Sequence, residues 1–179
     1  MTGFDIDSSQ FDVAVVVIGE TPYAEGMGDI RRDNSQPQRG SQMLKAPSAA
    51  GESFGVEDDV EGFMKLLQPY GDSLELNKLH PEDLATMRNI ARHGLPMVVV
   101  MITGRPLVIN SELELADSFV VAWLPGSEGQ GVADVLFGDY DFQGRLSFSW
   151  PKDESRDELN IGGEDYDPLF PYGYGLSYT

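Results

Sequence analysis

The chain has 179 residues, 41% of them hydrophobic and 10% aromatic, which is enough for one compact domain with a real core and too rich in core formers for wholesale disorder. It has no cysteine, so a disulfide framework and a thiolate zinc site are both excluded. With 30 acidic and 12 basic side chains its formal net charge is -18, a field that repels nucleic-acid phosphates and anionic lipid surfaces and reads as a solubility or salt-tolerance feature.

The first ten residues, MTGFDIDSSQ, lack a basic stretch followed by an apolar one, so no signal peptide is expected in this chain. Residues 11–19, FDVAVVVIG, form a β-branched run ending in glycine, the pattern of a strand buried on both faces. Residues 20–29 are rich in Gly, Pro and acid and read as the loop leaving the carboxyl end of that strand. Residues 30–55 show little periodicity and read as a long surface excursion. In residues 56–70, Val56, Val60, Phe63, Met64 and Leu67 recur at helical spacing, and Pro69 and Gly71 end that short helix.

A clearer helix opens at His80-Pro81-Glu82-Asp83, with proline at its first position and two acids at the positive end of the dipole. Leu84, Met87, Ile90 and Ala91 form its apolar stripe, and Gly94 ends it. Residues 96–102, PMVVVMI, predict a second buried strand, residues 107–109 a short further piece, and residues 118–123 a third strand. A helix follows, with Ser127 as its N-cap, Glu128 and Gln130 in its first turn, and Val132, Val135 and Leu136 on its buried face. Residues 144–150, GRLSFSW, alternate like an edge or antiparallel strand, and the tail from Pro151 carries turn residues and aromatics. Strands alternating with helices predict an α/β fold with a mostly parallel open sheet between helices. The longest apolar runs, at residues 13–18 and 97–102, fall far short of the ~18 residues of a membrane span.

Several motif readings fail on spacing. After the first strand the nearest approach to GxGxxG is Gly26-Met27-Gly28, and no GxxxxGK[ST] exists, so a dinucleotide or P-loop site has no support. Gly126-Ser127-Glu128-Gly129 misses the GxSxG spacing of a nucleophile elbow and reads as a helix cap. His80 and His93, the two histidines, have no spacing that makes a metal cluster and read as helix-end residues. The informative segment is the loop after the first strand, because functional groups in parallel sheets collect at the carboxyl ends of strands. It holds three carboxylates, Glu20, Glu25 and Asp29. By composition alone it is a solvated acidic loop, a general acid, or part of a metal site, although EF-hand spacing is missing.

The residues VVVIGETPYAEGMGD at 15–29 resemble the acid/base loop of family 3 glycoside hydrolases, where a hydrophobic strand is followed by G-E-x-P-Y-x-E-x-x-G-D. Three further blocks follow in the family's order: ITGRPLVI at 102–109, AWLPGSEGQGVADVLFGDYDFQGRLSFSWP at 122–151, and YDPLFPYGYGLSYT at 166–179. The resemblance covers nearly all of the chain outside residues 30–72.

The resemblance implies that residues 1–179 are the C-terminal α/β sandwich domain of such an enzyme, lacking its first strand and carrying an insertion at residues 30–72. The N-terminal (β/α)8-like barrel, with the aspartate nucleophile and most sugar contacts, would be the partner domain of the same parent protein. Matching the motif residue by residue puts the general acid/base on Glu25. Glu20, Tyr23 and Asp29 would shape the loop or the substrate site. The substrate would be a β-glucan or β-glucoside, hydrolysed from the chain end with retention. No cofactor or metal is needed for that chemistry, and no nucleic acid or membrane span enters. The compartment implied is the periplasm or the cell exterior, and the isolated chain would be inactive. A non-catalytic carbohydrate-binding or interdomain module is the alternative reading of the same fold.

Overall fold

The structure, a computed structural model, describes residues 7–20, 73–155 and 159–178. Apart from Ser73 and Leu74, these belong to one compact unit made of the residues up to Glu20 and from Glu75 onward. The expected excursion at 30–55 and helix at 56–70 lie outside the described residues.

Three β-branched runs form a parallel sheet of β1 (Ala14–Gly19), β2 (Met97–Ile102) and β3 (Ser118–Trp123), in the spatial order β1-β2-β3. Parallel neighbours need crossover connections, and the described α-helices lie in or after them. These are α1 (Leu76–Leu79) and α2 (Pro81–Ala91) before β2, α3 (Asn110–Leu113) before β3, and α4 (Gly129–Leu136) after it. The register pairs Val16 with Val99 and Ile18 with Met101, and all four side chains are buried on one face. Helix α2 packs against β1 on its apolar stripe, with Leu84 and Met87 buried. Trp150 closes the core from the C-terminal region, its indole N–H donating to the Leu107 carbonyl at 2.7 Å. Fully burying an aromatic of this size contributes roughly 1.5–3 kcal/mol, and the indole bond satisfies its polar end.

The expected open α/β sheet is present, and α2 starts with Pro81 at its first position as its acids predicted. Four local expectations change. β1 buries one face only: Val15 and Val17 are exposed, in line with Phe11 and Val13. A continuous apolar run cannot distinguish one-sided from two-sided burial, and β1 is an edge of the described sheet. Ser127 does not cap α4, because its hydroxyl turns to the Glu128 carboxylate at 3.1 Å and the helix begins at Gly129. The expected buried face of α4, Val132, Val135 and Leu136, is half-buried. Residues 144–150 form no regular strand. They pair antiparallel with the tail at one bridge, Trp150 with Phe170, and through Leu146 with Gly173 and Tyr174.

Candidate functional site at the carboxyl end of the sheet

The three strands end side by side. β1 finishes at Gly19, where an added Cβ would collide with the Ile102 carbonyl oxygen of β2, so only glycine lets the strands approach here. The Gly19 amide donates to the Asp83 carboxylate at 3.3 Å, and the Glu20 amide donates to the Ile102 carbonyl at 3.1 Å. The chain therefore leaves the sheet at Glu20 with its backbone fixed.

The Glu20 side chain is held as firmly. Its Oε1 accepts from Arg105 Nε at 2.8 Å and its Oε2 from the Thr103 hydroxyl at 2.7 Å. The Glu20 side chain is 3% exposed and that of Arg105 15%. Thr103 is buried. Thr103 and Arg105 belong to the turn that follows β2, braced by the Arg105 amide donating to Thr103 Oγ1 at 3.2 Å. The Arg105 carbonyl also lies 2.7 Å from that hydroxyl. The hydroxyl has a single proton for two acceptors, and the charged carboxylate is the stronger one. The Thr103 amide in turn donates to the Trp123 carbonyl at 3.2 Å, which ties the turn to the end of β3.

Trp123 itself sits at φ 57°, a left-handed conformation that is rare for a bulky residue. It is braced by an edge-on contact with Phe148 at 5.7 Å and a tilted one with Trp150 at 5.9 Å. Such backbone strain costs on the order of 1–3 kcal/mol and persists where the surroundings over-determine it.

Asp83 holds the other side of the β1 terminus. Burial raises its carboxyl above the usual 3.8, against the Gly19 amide and His80, which lower it, while Glu82 adds to the rise. His80 sits at the start of α2 without capping it, its Nδ1 3.4 Å from Glu82 Oε1, and His93 follows the helix end. Among the described residues no cluster of His, Asp and Glu could hold a metal ion.

Of the residues singled out from the sequence, Glu20 lies at this site, ion-paired and buried. Tyr23, Glu25 and Asp29 lie outside the described residues. Thr103, Arg105, Asp83 and Trp123 were not picked out as site residues by sequence reasoning. Thr103 and Arg105 lie in the family block at 102–109 and Trp123 in the block at 122–151, and those blocks are the signal the sequence offers for them. A separate cavity of about 470 Å³ runs beside β3, lined by Phe119, Trp123, Leu146, Trp150 and Tyr174; among the described residues its walls carry one carboxylate, Asp117.

This domain is of a kind found in glycosidases. Residues 6–178 match the glycosyl hydrolase family 3 C-terminal domain, and the chain belongs to that family. It is 39% identical over 145 residues to a xylan 1,4-beta-xylosidase of Xylanibacter ruminicola, covering 75% of this chain and 16% of that protein. It is 38% identical over 164 residues to a periplasmic beta-glucosidase of Salmonella typhimurium, covering 79% of this chain and 20% of that protein. Among solved structures it is similar to a variant of an exo-1,3/1,4-beta-glucanase from a Pseudoalteromonas species, at 41% identity and a TM-score of 0.66, covering 93% of this chain and 21% of that one. The chain thus spans about a fifth or less of the length of these relatives.

Proposed function

We propose that this domain supplies the general acid/base, Glu25, to a retaining, exo-acting β-glucosidase or β-glucanase whose nucleophile lies on a barrel domain of the same parent protein. One observation bears on the choice among the loop's carboxylates by taking Glu20 out of it. Both oxygens of Glu20 are engaged, by Arg105 and Thr103, in a buried ion pair. A carboxylate so held has no free oxygen to exchange a proton with substrate. Glu25 stands where the family's motif has its acid/base, and Tyr23 and Asp29 shape the loop around it.

The chemistry needs two carboxyl groups about 5–5.5 Å apart across the glycosidic bond. The nucleophile attacks the anomeric carbon while Glu25 protonates the departing oxygen. Glu25, now a carboxylate, then takes a proton from the water that hydrolyses the glycosyl-enzyme. With one of the two carboxyl groups on this chain, the isolated domain is inactive. Relatives named for glucosidase, xylosidase and glucanase activity share this domain. The likeness to an exo-1,3/1,4-beta-glucanase across 93% of the chain favours glucose as the sugar released. Residues 30–72 are an insertion in the family domain, and a periplasmic or extracellular site of action agrees with the relative named periplasmic.

Glu25→Ala in the barrel-plus-sandwich protein tests the assignment. Hydrolysis of substrates with poor leaving groups should fall by about 10²–10⁴-fold, that of activated aryl glycosides far less in the first step, and azide should restore turnover. Equal loss on every substrate with no azide rescue would remove Glu25 from the role.

A further inference from the structure

We infer that Thr103 and Arg105 are positioning residues for the catalytic loop, acting through Glu20 to fix where the segment that bears Glu25 leaves the sheet. The inference rests on the assignment of Glu25 made above. Its geometric part concerns Glu20, Thr103 and Arg105 alone.

Each oxygen of the Glu20 carboxylate has its own donor, Arg105 Nε on one and Thr103 Oγ1 on the other, at 2.8 and 2.7 Å. A rotation of the side chain breaks both bonds together, so the pair fixes orientation as well as position. Both donors stand on one turn, and that turn is tied to the end of β3 through Thr103 and Trp123. The Glu20 side chain and Thr103 are buried and Arg105 is half-buried, which limits the access of water to the two bonds.

The clamp is poorly explained as a device for stability. An apolar residue in place of a buried ion pair is often as stable or more so. What the ion pair adds is direction, and it adds it at the first residue of the loop. Glu25 is five residues further on, a reach of up to about 17 Å for an extended chain. A catalytic group must be placed to about 0.5 Å. The tolerance is a small fraction of the reach, so the origin of the loop must not wander. A misplacement of about 1 Å caused by a change away from the chemistry can cost on the order of 10²-fold in rate.

The test uses the full-length parent protein, with active sites counted by a mechanism-based 2-fluoroglycoside so that misfolded enzyme does not enter the rate. Thr103→Val removes one hydroxyl at nearly constant volume, and Thr103→Ser keeps it. Thr103→Val should lower kcat on poor-leaving-group β-glucosides by about 10–100-fold, with a steeper dependence on leaving-group pKa and little change in KM. Thr103→Ser should return both to near the wild-type values. Arg105→Lys keeps the charge but not the planar fork, and should fall between the two. A merely structural role would lower the count of active sites and leave the leaving-group dependence of each site unchanged, and that result would overturn the inference. Hydrogen exchange at the amides of residues 21–29 separates the two claims. Faster exchange in Thr103→Val but not in Thr103→Ser supports the clamp whichever residue is the acid. Unchanged exchange overturns the clamp even where azide rescues Glu25→Ala. Faster exchange with no azide rescue overturns the Glu25 assignment and leaves the clamp standing.

Discussion

Glu20 and Glu112 are both buried glutamates, and they are held in opposite ways. At the end of β1, Glu20 faces a guanidinium and a hydroxyl, one for each oxygen. In α3, Glu112 is wholly buried and neither carboxylate oxygen has a hydrogen-bond partner on another described residue. An ionised carboxylate taken out of water costs several kcal/mol, an order-of-magnitude figure, unless charge and hydrogen bonds compensate it. Glu20 meets that cost with partners. Glu112 has no such partners, and burial is the largest cause raising its carboxyl above the usual 4.5, with Asp83 and Glu75 adding to the rise and its own backbone amide and Arg88 opposing it. The same residue type is held at one site as a partnered charge and at the other is biased by burial toward its neutral form.

The largest effect expected from this contrast is at the first site. Arg105→Met leaves the Glu20 charge buried beside an apolar side chain, and should lower the urea-unfolding free energy of the chain by about 3–5 kcal/mol. Adding Glu20→Gln should restore much of that loss, because no orphaned charge remains. The coupling between the two changes should be about 1–3 kcal/mol. Additive losses would mean that the two side chains contribute independently.

At the second site the sign reverses. Glu112→Gln removes a titrating group that accepts no hydrogen bond from another described residue, and the stability of the variant relative to wild type should rise from pH 4 to pH 8. The gain has a definite pH dependence. Below the ordinary carboxyl value of 4.5 the side chain is protonated whether the chain is folded or not, and the variant gains little. As pH rises, the unfolded chain ionises first while the folded one keeps its proton, so wild-type stability falls until the folded group also titrates. The variant is spared that fall. A difference that stays flat from pH 4 to pH 8 would show that Glu112 is not held neutral.

The sequence made parts of this picture legible and hid others for physical reasons. The three strands and the Pro81 start of α2 follow from local signals, β-branched runs and a proline with two acids. The site's place at the end of β1 follows from a rule about parallel sheets. The Glu20–Arg105 pair joins residues 85 positions apart, and no periodicity encodes a contact of that range. Helix α3 is four residues of NSEL, too short and too polar to announce itself, so the burial of Glu112 gave no warning. Trp123 in a left-handed conformation is invisible for a related reason, since the strain is imposed by packing against Phe148 and Trp150 rather than by its own preference. The exposure of Val15 and Val17 depends on what covers β1, which its own sequence does not contain.

Asp83 stands between the two buried glutamates, and the smallest expected effect belongs to it. Its carboxylate accepts from the Gly19 amide one residue before Glu20, and its charge adds to the rise at Glu112. Asp83→Asn keeps an oxygen for the Gly19 amide and removes the charge. Two opposing changes then nearly cancel. The variant escapes the desolvation that raises the Asp83 carboxyl, a gain that grows as pH rises above 3.8. It also forfeits the attraction between a negative charge and the N-terminus of α2, about 0.3–1 kcal/mol. Stability should therefore shift by less than about 1 kcal/mol at neutral pH, and the pH-dependent gain of Glu112→Gln should shrink when it is measured in the Asp83→Asn background. Exchange at the amides of residues 21–29 should stay unchanged, because the Glu20 clamp is intact. If exchange there rises as much as in Thr103→Val, the charge on Asp83 anchors the end of β1 as firmly as the clamp does, and the division between a site that uses its buried charge and a site that suppresses it no longer holds.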